Sequence, residues 1–162
     1  MIFYKIFAII IIENQKERKK IDMRLWHQKL IKYLPRQQLL GQHRECCALR
    51  GKGWGKKHSV VDYVFTYIPE YLVTYHYLIM EEMKRRGYNP DSVWMNPNWR
   101  GNVLGEQKNW TDSRILETLY NHITTTSNNI FIEHNDDYLK ECLENLSSKG
   151  VVIELSKEAN NG

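Results

Sequence analysis

Between Pro69 and Gly87 the sequence contains neither glycine nor proline, and its apolar positions return with helical spacing. Leu72, His76, Ile79 and Met83 fall on one face of a 3.6-residue period. Pro69 suits a first helical turn, where its missing N–H costs nothing. Lys84, Arg85 and Arg86 put positive charge at the negative pole of the helix dipole. Gly87 can adopt the left-handed conformation that closes a helix. A helix over residues 69–86 with one apolar face needs other elements to cover it, and the neighbouring segments are helical too.

Residues 36–49 form the second clear helix, with Pro35 where it begins. Leu39, Leu40, His43, Cys46 and Cys47 share one side. Gln38, Gly41, Gln42 and Glu45 fall on the other, and Arg44 lies at the edge between them. Residues 23–33 make a short amphipathic segment that offers Leu25, Trp26, Leu30 and Ile31 to the core. Residues 51–57, GKGWGKK, are a loop by their glycines. Residues 58–68 are aromatic and β-branched and suit either an extended or a helical form. Residues 89–108 carry two prolines, two glycines, Trp94 and Trp99, and are irregular. Residues 112–123 and 135–149 read as two more helices, with Asn135 as N-cap and Gly150 as C-cap. No internal repeat is visible. The expected fold is mainly α: a single compact helical domain with long irregular loops over residues 23–155, and a frayed tail over 156–162.

A chain of 162 residues with five tryptophans can bury one real core and has little room for two. Its net charge of +4 is unevenly spread. Residues 23–86 hold twelve Lys/Arg against five Asp/Glu, and residues 87–162 hold six against eleven. That split suggests a polyanion-facing surface in the first half, although small proteins also segregate charge by chance. The cysteines are Cys46, Cys47 and Cys142. An odd count that includes two neighbours points to a reducing, cytoplasmic setting, so the sequons at Asn109 and Asn145 carry no weight.

Residues 1–22 read as foreign to the domain. The apolar run Ile6 to Ile12 is far short of the ~20 residues that span a bilayer. Its basic cluster follows the run instead of preceding it, which is wrong for a signal peptide. A membrane anchor is the lesser alternative. Lys16-Glu17-Arg18-Lys19-Lys20 can be encoded wholly by purines just before Met23. A bacterial ribosome-binding site translated by mistake looks like that, so Met23 is the expected native start.

Six histidines invite a metal, but His43-x-x-Cys46-Cys47 lacks a second paired motif, and no HExxH or CxxC is present. No metal site is expected: His43 reads as a core histidine, Cys46 and Cys47 as small core residues. The GKGWGKK loop is one residue short of a phosphate-binding loop, and no Ser/Thr follows Lys56. Its Lys52, Lys56 and Lys57 can neutralise phosphate, and Trp54 can stack on a base or wedge into a duplex. A solvated basic turn gives the same string.

The string Arg36-Gln37-Gln38-Leu39-Leu40-Gly41-Gln42-His43-Arg44-Glu45 resembles the first helix of the pyrimidine dimer DNA glycosylase family, the phage-type repair enzymes. That family places an Arg-Glu pair late in this helix, about twenty residues from the N-terminus, which Glu45 matches when the count begins at Met23. Glu82-Met83-Lys84-Arg85-Arg86-Gly87-Tyr88-Asn89 is similar to the end of the family's long helix. The resemblance covers residues 23 to about 91. A family histidine corresponds to Gln38 here, a bulky Arg24 follows the first methionine, and GKGWGKK and the acidic second half have no clear counterpart.

The resemblance implies a DNA glycosylase with abasic-site lyase activity on damaged double-stranded DNA, with no cofactor. Its nucleophile would be the α-amine of Met23. The reference pKa of such an amine, roughly 7.7–8.0, leaves a useful neutral fraction at cell pH. Glu45 would stabilise the cationic sugar and help remove the proton that leads to strand cleavage. Arg44 would grip a flanking phosphate, with Arg24 and Arg36 as weaker phosphate contacts. No membrane and no obligate protein partner is expected. The other readings are a non-catalytic DNA- or RNA-binding module and a small protein-interaction domain.

Overall fold

The computed structural model describes residues 24–56 and 60–155. Residues 1–22, Met23, Lys57 and the tail at 156–162 lie outside the described residues. The helices are α1 (Arg36–Arg50), α2 (Pro69–Arg85), a single turn α3 (Gly101–Leu104), α4 (Ser113–Thr126) and α5 (Asp136–Ser148). Short 3-10 helices occupy Gln28–Tyr33, Asp62–Thr66 and Ser92–Met95. Among the described residues the only β feature is an isolated antiparallel bridge between Trp99 and Glu106. The mainly α expectation holds. No described helix is long and apolar enough to cross a membrane.

α2 is the central element and packs against both α1 and α4. Its Leu72, Tyr75, Ile79 and Met83 join Leu39, Cys46 and Leu49 of α1 in the core. Leu25, Leu30 and Leu34 enter from the first segment, Phe131 from the α4–α5 connection, and Cys142 and Leu146 from α5. Each large apolar side chain so buried stabilises the fold by ~1.5–3 kcal/mol relative to exposure.

The helix ends follow the chemistry expected of them. Gly87 has φ 85°, and the Gly87 and Tyr88 N–H groups donate back to the Lys84 and Met83 carbonyls at 2.9 Å each. The Asn135 side chain accepts from the Tyr138 N–H, satisfying one of the donors a helix start leaves open. Gly150 closes α5 with φ 81°. Within residues 58–68 the chain is helical over Asp62–Thr66. α4 outruns its expected end and stops at Ser127, which is left-handed. α1 extends to Arg50, one residue beyond expectation.

The GKGWGKK loop folds back on the end of α1. The Gly53 N–H donates to the Ala48 carbonyl at 2.9 Å, and a Cβ at Gly53 would meet that oxygen at 2.7 Å. Glycine is needed there for a close backbone approach.

Candidate functional site

Four residues of the first segment, Arg24, Leu25, Trp26 and Gln28, are held by side chains from distant elements. The Gln42 amide on α1 is the hub. Its oxygen accepts from the Trp26 N–H at 2.6 Å, and its nitrogen donates to the Arg24 carbonyl at 3.0 Å and to Glu45 Oε2 at 2.9 Å. The Tyr75 hydroxyl of α2 donates to the Trp26 carbonyl at 2.6 Å and lies 2.9 Å from the Gln42 oxygen. From α5, the Tyr138 hydroxyl donates to the Leu25 carbonyl at 2.5 Å. The Gln28 N–H donates to His134 Nδ1 at 3.2 Å. Every donor and acceptor of the Gln42 amide is thus engaged, as a buried amide requires.

The helical wheel put Gln42 on the polar side of α1, and the structure corrects this: the residue is 1% exposed. That side of α1 is covered by the first segment, so it is an interior face that needs a polar residue. Gln42 is the residue of this network that sequence reasoning missed. Its visible signal was its spacing, three residues after Leu39 and four before Cys46, which sets it beside the core positions of α1. Glu45 itself is half-buried.

The basic candidates divide into two groups. Arg36, Arg44, Lys52 and Lys56 are exposed on α1 and the loop that follows it. The Arg36 guanidinium lies over the Tyr88 ring at 5.6 Å. Arg24 is not among them, and the expectation of a phosphate contact is corrected. Its side chain is 6% exposed, lies 3.4 Å from Glu141, and sits over the Trp26 ring. Burial against α5 commits it to packing. Trp54, expected as a wedge or stacking residue, is half-buried and edge-on to both Phe65 and Trp110. Its indole is part of the protein's own aromatic packing. Met23 and Lys57 lie outside the described residues.

The cysteines make poor nucleophiles. Burial pushes the Cys47 thiol up to about 12 and the Cys46 thiol well above its usual range. Cys46 is buried, as expected, whereas Cys47 is half-buried beside His43 and His76. A groove of about 680 Å³ lined by Lys29, Lys32, Leu78, Glu81 and Arg85, among others, does not include Glu45.

His134 adds a pH dependence to the clamp. Burial first, and then the neighbouring His27, lowers its pKa from 6.5 to about 3. His27 is shifted the same way, by burial foremost. The folded state therefore refuses a proton that the unfolded state accepts below pH 6.5. Stability is full above pH 6.5 and falls as pH drops, by ~1.4 kcal/mol per unit for His134 alone. Between pH 6.5 and 5 the loss should reach ~2 kcal/mol. Urea unfolding across that range measures it. His134→Gln, which can still accept from the Gln28 N–H, should flatten the slope; an unchanged slope would remove His134 as the cause.

A small helical domain with a clamped first segment, a carboxylate beside it and exposed cations along the same helix is the class of protein these observations define. The model of the pyrimidine dimer DNA glycosylase family matches residues 23–96. The match spans the first segment, α1, the loop and α2, and leaves α4 and α5 outside it. It supports a DNA-repair function of the glycosylase type, with DNA as substrate. No curated protein and no solved structure matches the chain.

Proposed function

We propose that the chain is a DNA glycosylase with abasic-site lyase activity, working through the α-amine of Met23 in a protein that starts at that residue. The observation that carries this reading is the Gln42 bridge. One buried amide hydrogen bonds both to the backbone of Arg24, the residue after Met23, and to the Glu45 carboxylate. A second support is that the family match begins at Met23.

In this mechanism the neutral amine attacks C1′ of the damaged nucleotide and the glycosidic bond breaks, releasing the base. Loss of the amine proton and opening of the sugar give an iminium. Glu45 stabilises the positive charge and takes the C2′ proton, and the electron pair expels the 3′ phosphate. Water then hydrolyses the imine and frees the amine. Arg44 holds a flanking phosphate, while Arg36, Lys52, Lys56 and Lys57 neutralise the backbone. Reaching C1′ requires a displaced nucleotide. The setting is cytoplasmic, in keeping with three unpaired cysteines.

The test uses protein starting at Met23 and the full 162-residue chain, each incubated with abasic-site duplex and borohydride. The expected result is a covalent adduct on the N-terminal residue of the Met23 form and none on the longer chain. Ultraviolet-irradiated duplex then tests the glycosylase step. Duplex binding without any adduct would overturn the proposal in favour of a non-catalytic binding module.

Gln42→Leu tests the bridge separately. Leucine keeps the volume and leaves the Trp26 N–H and Arg24 carbonyl without partners, at a cost of ~1–3 kcal/mol for each such group. Adduct formation should slow by more than tenfold at a pH and denaturant-free condition where circular dichroism still shows the fold. Unchanged adduct yield would mean that the amide packs the core without positioning the amine.

A further inference from the structure

Successive carbonyls of the first segment are held by three different helices. Gln42 of α1 donates to that of Arg24, Tyr138 of α5 to that of Leu25, and Tyr75 of α2 to that of Trp26. The Arg24 side chain is buried as well, between Glu141 of α5 and the Trp26 ring. We propose that Tyr138 is a positioning residue for the Met23 amine, so that α5 fixes the direction in which the nucleophile is presented. This role presupposes the amine mechanism, and it falls on an element outside the residues 23–96 that the family model matches.

The N–H and C=O of a planar trans peptide point to opposite sides of the chain. The Leu25–Trp26 peptide is gripped on both. Its N–H donates to Gln42 Oε1 at 2.6 Å, and its carbonyl accepts from Tyr138 at 2.5 Å. Gln42 alone would let the segment pivot about α1; Tyr138 stops that motion from the α5 side. The Arg24 carbonyl is held by Gln42 Nε2, and the Arg24 Cβ is held by its buried side chain. With the carbonyl carbon and Cβ both placed, the chirality of the Cα leaves the Arg24 nitrogen one position. The bond back to Met23 therefore departs in one direction.

Tyr138 is itself held in the donating sense. The Gln28 N–H donates to His134 Nδ1 at 3.2 Å, so that nitrogen is the acceptor and the neutral ring carries its proton on Nε2. Nε2 donates to the Tyr63 hydroxyl at 2.7 Å. Tyr63 hydrogen bonds in turn to Tyr138, and Tyr138 directs its own proton to the Leu25 carbonyl. Each hydroxyl receives one hydrogen bond and donates one, and both ends of the chain lie on the first segment. Burial raises both phenols above their ordinary value, so neither gives up its proton at cell pH. Tyr138 and Glu141 are three residues apart and share one face of α5, whose Cys142 and Leu146 are embedded in the core. The support is therefore a rigid one.

Tyr138→Phe removes one hydroxyl and keeps the ring. In isotope-labelled protein starting at Met23, the order parameter of the Arg24 amide should lie near ~0.85 in the parent and drop toward ~0.6 in the variant. Those of α1 and α2 should not change. With saturating abasic-site duplex and borohydride, single-turnover adduct formation should slow by about tenfold to a hundredfold, while duplex affinity stays within about twofold of the parent's. The midpoint of its pH profile should move toward the free-amine range of roughly 7.7–8.0. A residue that only stabilised the fold would alter none of these in protein that circular dichroism shows to be folded. An unchanged Arg24 order parameter in Tyr138→Phe, or an adduct rate and pH profile equal to the parent's, would overturn the proposal. Absence of adduct in the parent refutes the amine mechanism instead, and the order parameters still decide whether Tyr138 fixes Arg24. If Tyr138→Phe does not fold, Tyr63→Phe, which removes the donor to Tyr138, is read in its place for the same losses and the same refuting result.

Discussion

Glu45→Gln is expected to slow cleavage of an abasic-site duplex by roughly 10²–10⁴-fold, the range for loss of a positioned general base. The fold should be unchanged. Glutamine has the same shape, and its carbonyl oxygen can still receive the Gln42 donation that now reaches Glu45 Oε2 at 2.9 Å. What is lost is the negative charge that stabilises the cationic sugar and the basicity that removes its proton. Binding of intact duplex should therefore be preserved, and single-turnover cleavage should carry the whole effect. Arg44→Ala should do the reverse. Arg44 is exposed, so its removal should weaken duplex binding and reduce the salt dependence of affinity by about one phosphate contact. Full-rate cleavage by Glu45→Gln would remove the carboxylate from the mechanism, even if adducts still formed on the amine.

Most of the helical framework was legible because local chemistry and tertiary packing ask for the same residues. Pro69, the 72–76–79–83 stripe and Gly87 each specify the same helix, and Asn135 with Gly150 does so for α5. The site was less legible because its key residue serves a contact that periodicity cannot see. Gln42 falls three residues after Leu39 and four before Cys46, so it belongs to the buried face of α1 with them. A wheel cannot say that residues 24–28 will be laid across that face and need an amide there. Charge counting failed for a related reason. Arg24 and Arg50 raise the basic balance of the first half, yet both are interior. Arg86 is occupied with Glu82 and with the Leu34 carbonyl. The exposed cations are fewer than the count implied, and Arg36, Arg44, Lys52 and Lys56 are those on α1 and the loop after it. His43 and Cys47 were visible as neighbours on a helix, but their third partner lies on α2 at His76, and only the packing of the two helices brings it there.

Arg50→Met should be among the most destabilising single changes in the chain, at ~3–5 kcal/mol. Arg50 has no exposed surface. Its guanidinium donates to the carbonyls of Trp94 at 2.9 Å, Asn96 at 2.7 Å and Trp99 at 3.1 Å. It also lies 5.0 Å from the Trp94 ring centre. These contacts explain how residues 89–108 hold one conformation although they are mostly irregular: a single planar fork gathers three carbonyls that no helix or sheet would satisfy. The cost of burying it is visible in its acidity, which desolvation lowers to about 10. Methionine fills much of the volume but removes the donor from the Trp94 and Trp99 carbonyls and leaves the Asn96 carbonyl only the Trp99 N–H at 3.1 Å. Lysine restores a charge without the fork, so Arg50→Lys should recover less than half of the loss. Chemical denaturation gives the energies, and hydrogen exchange should show faster opening across residues 92–99 in both variants before α5 is affected. A methionine variant within ~1 kcal/mol of the parent, the range of an ordinary substitution, would show that the segment is held by its own turns and not by Arg50.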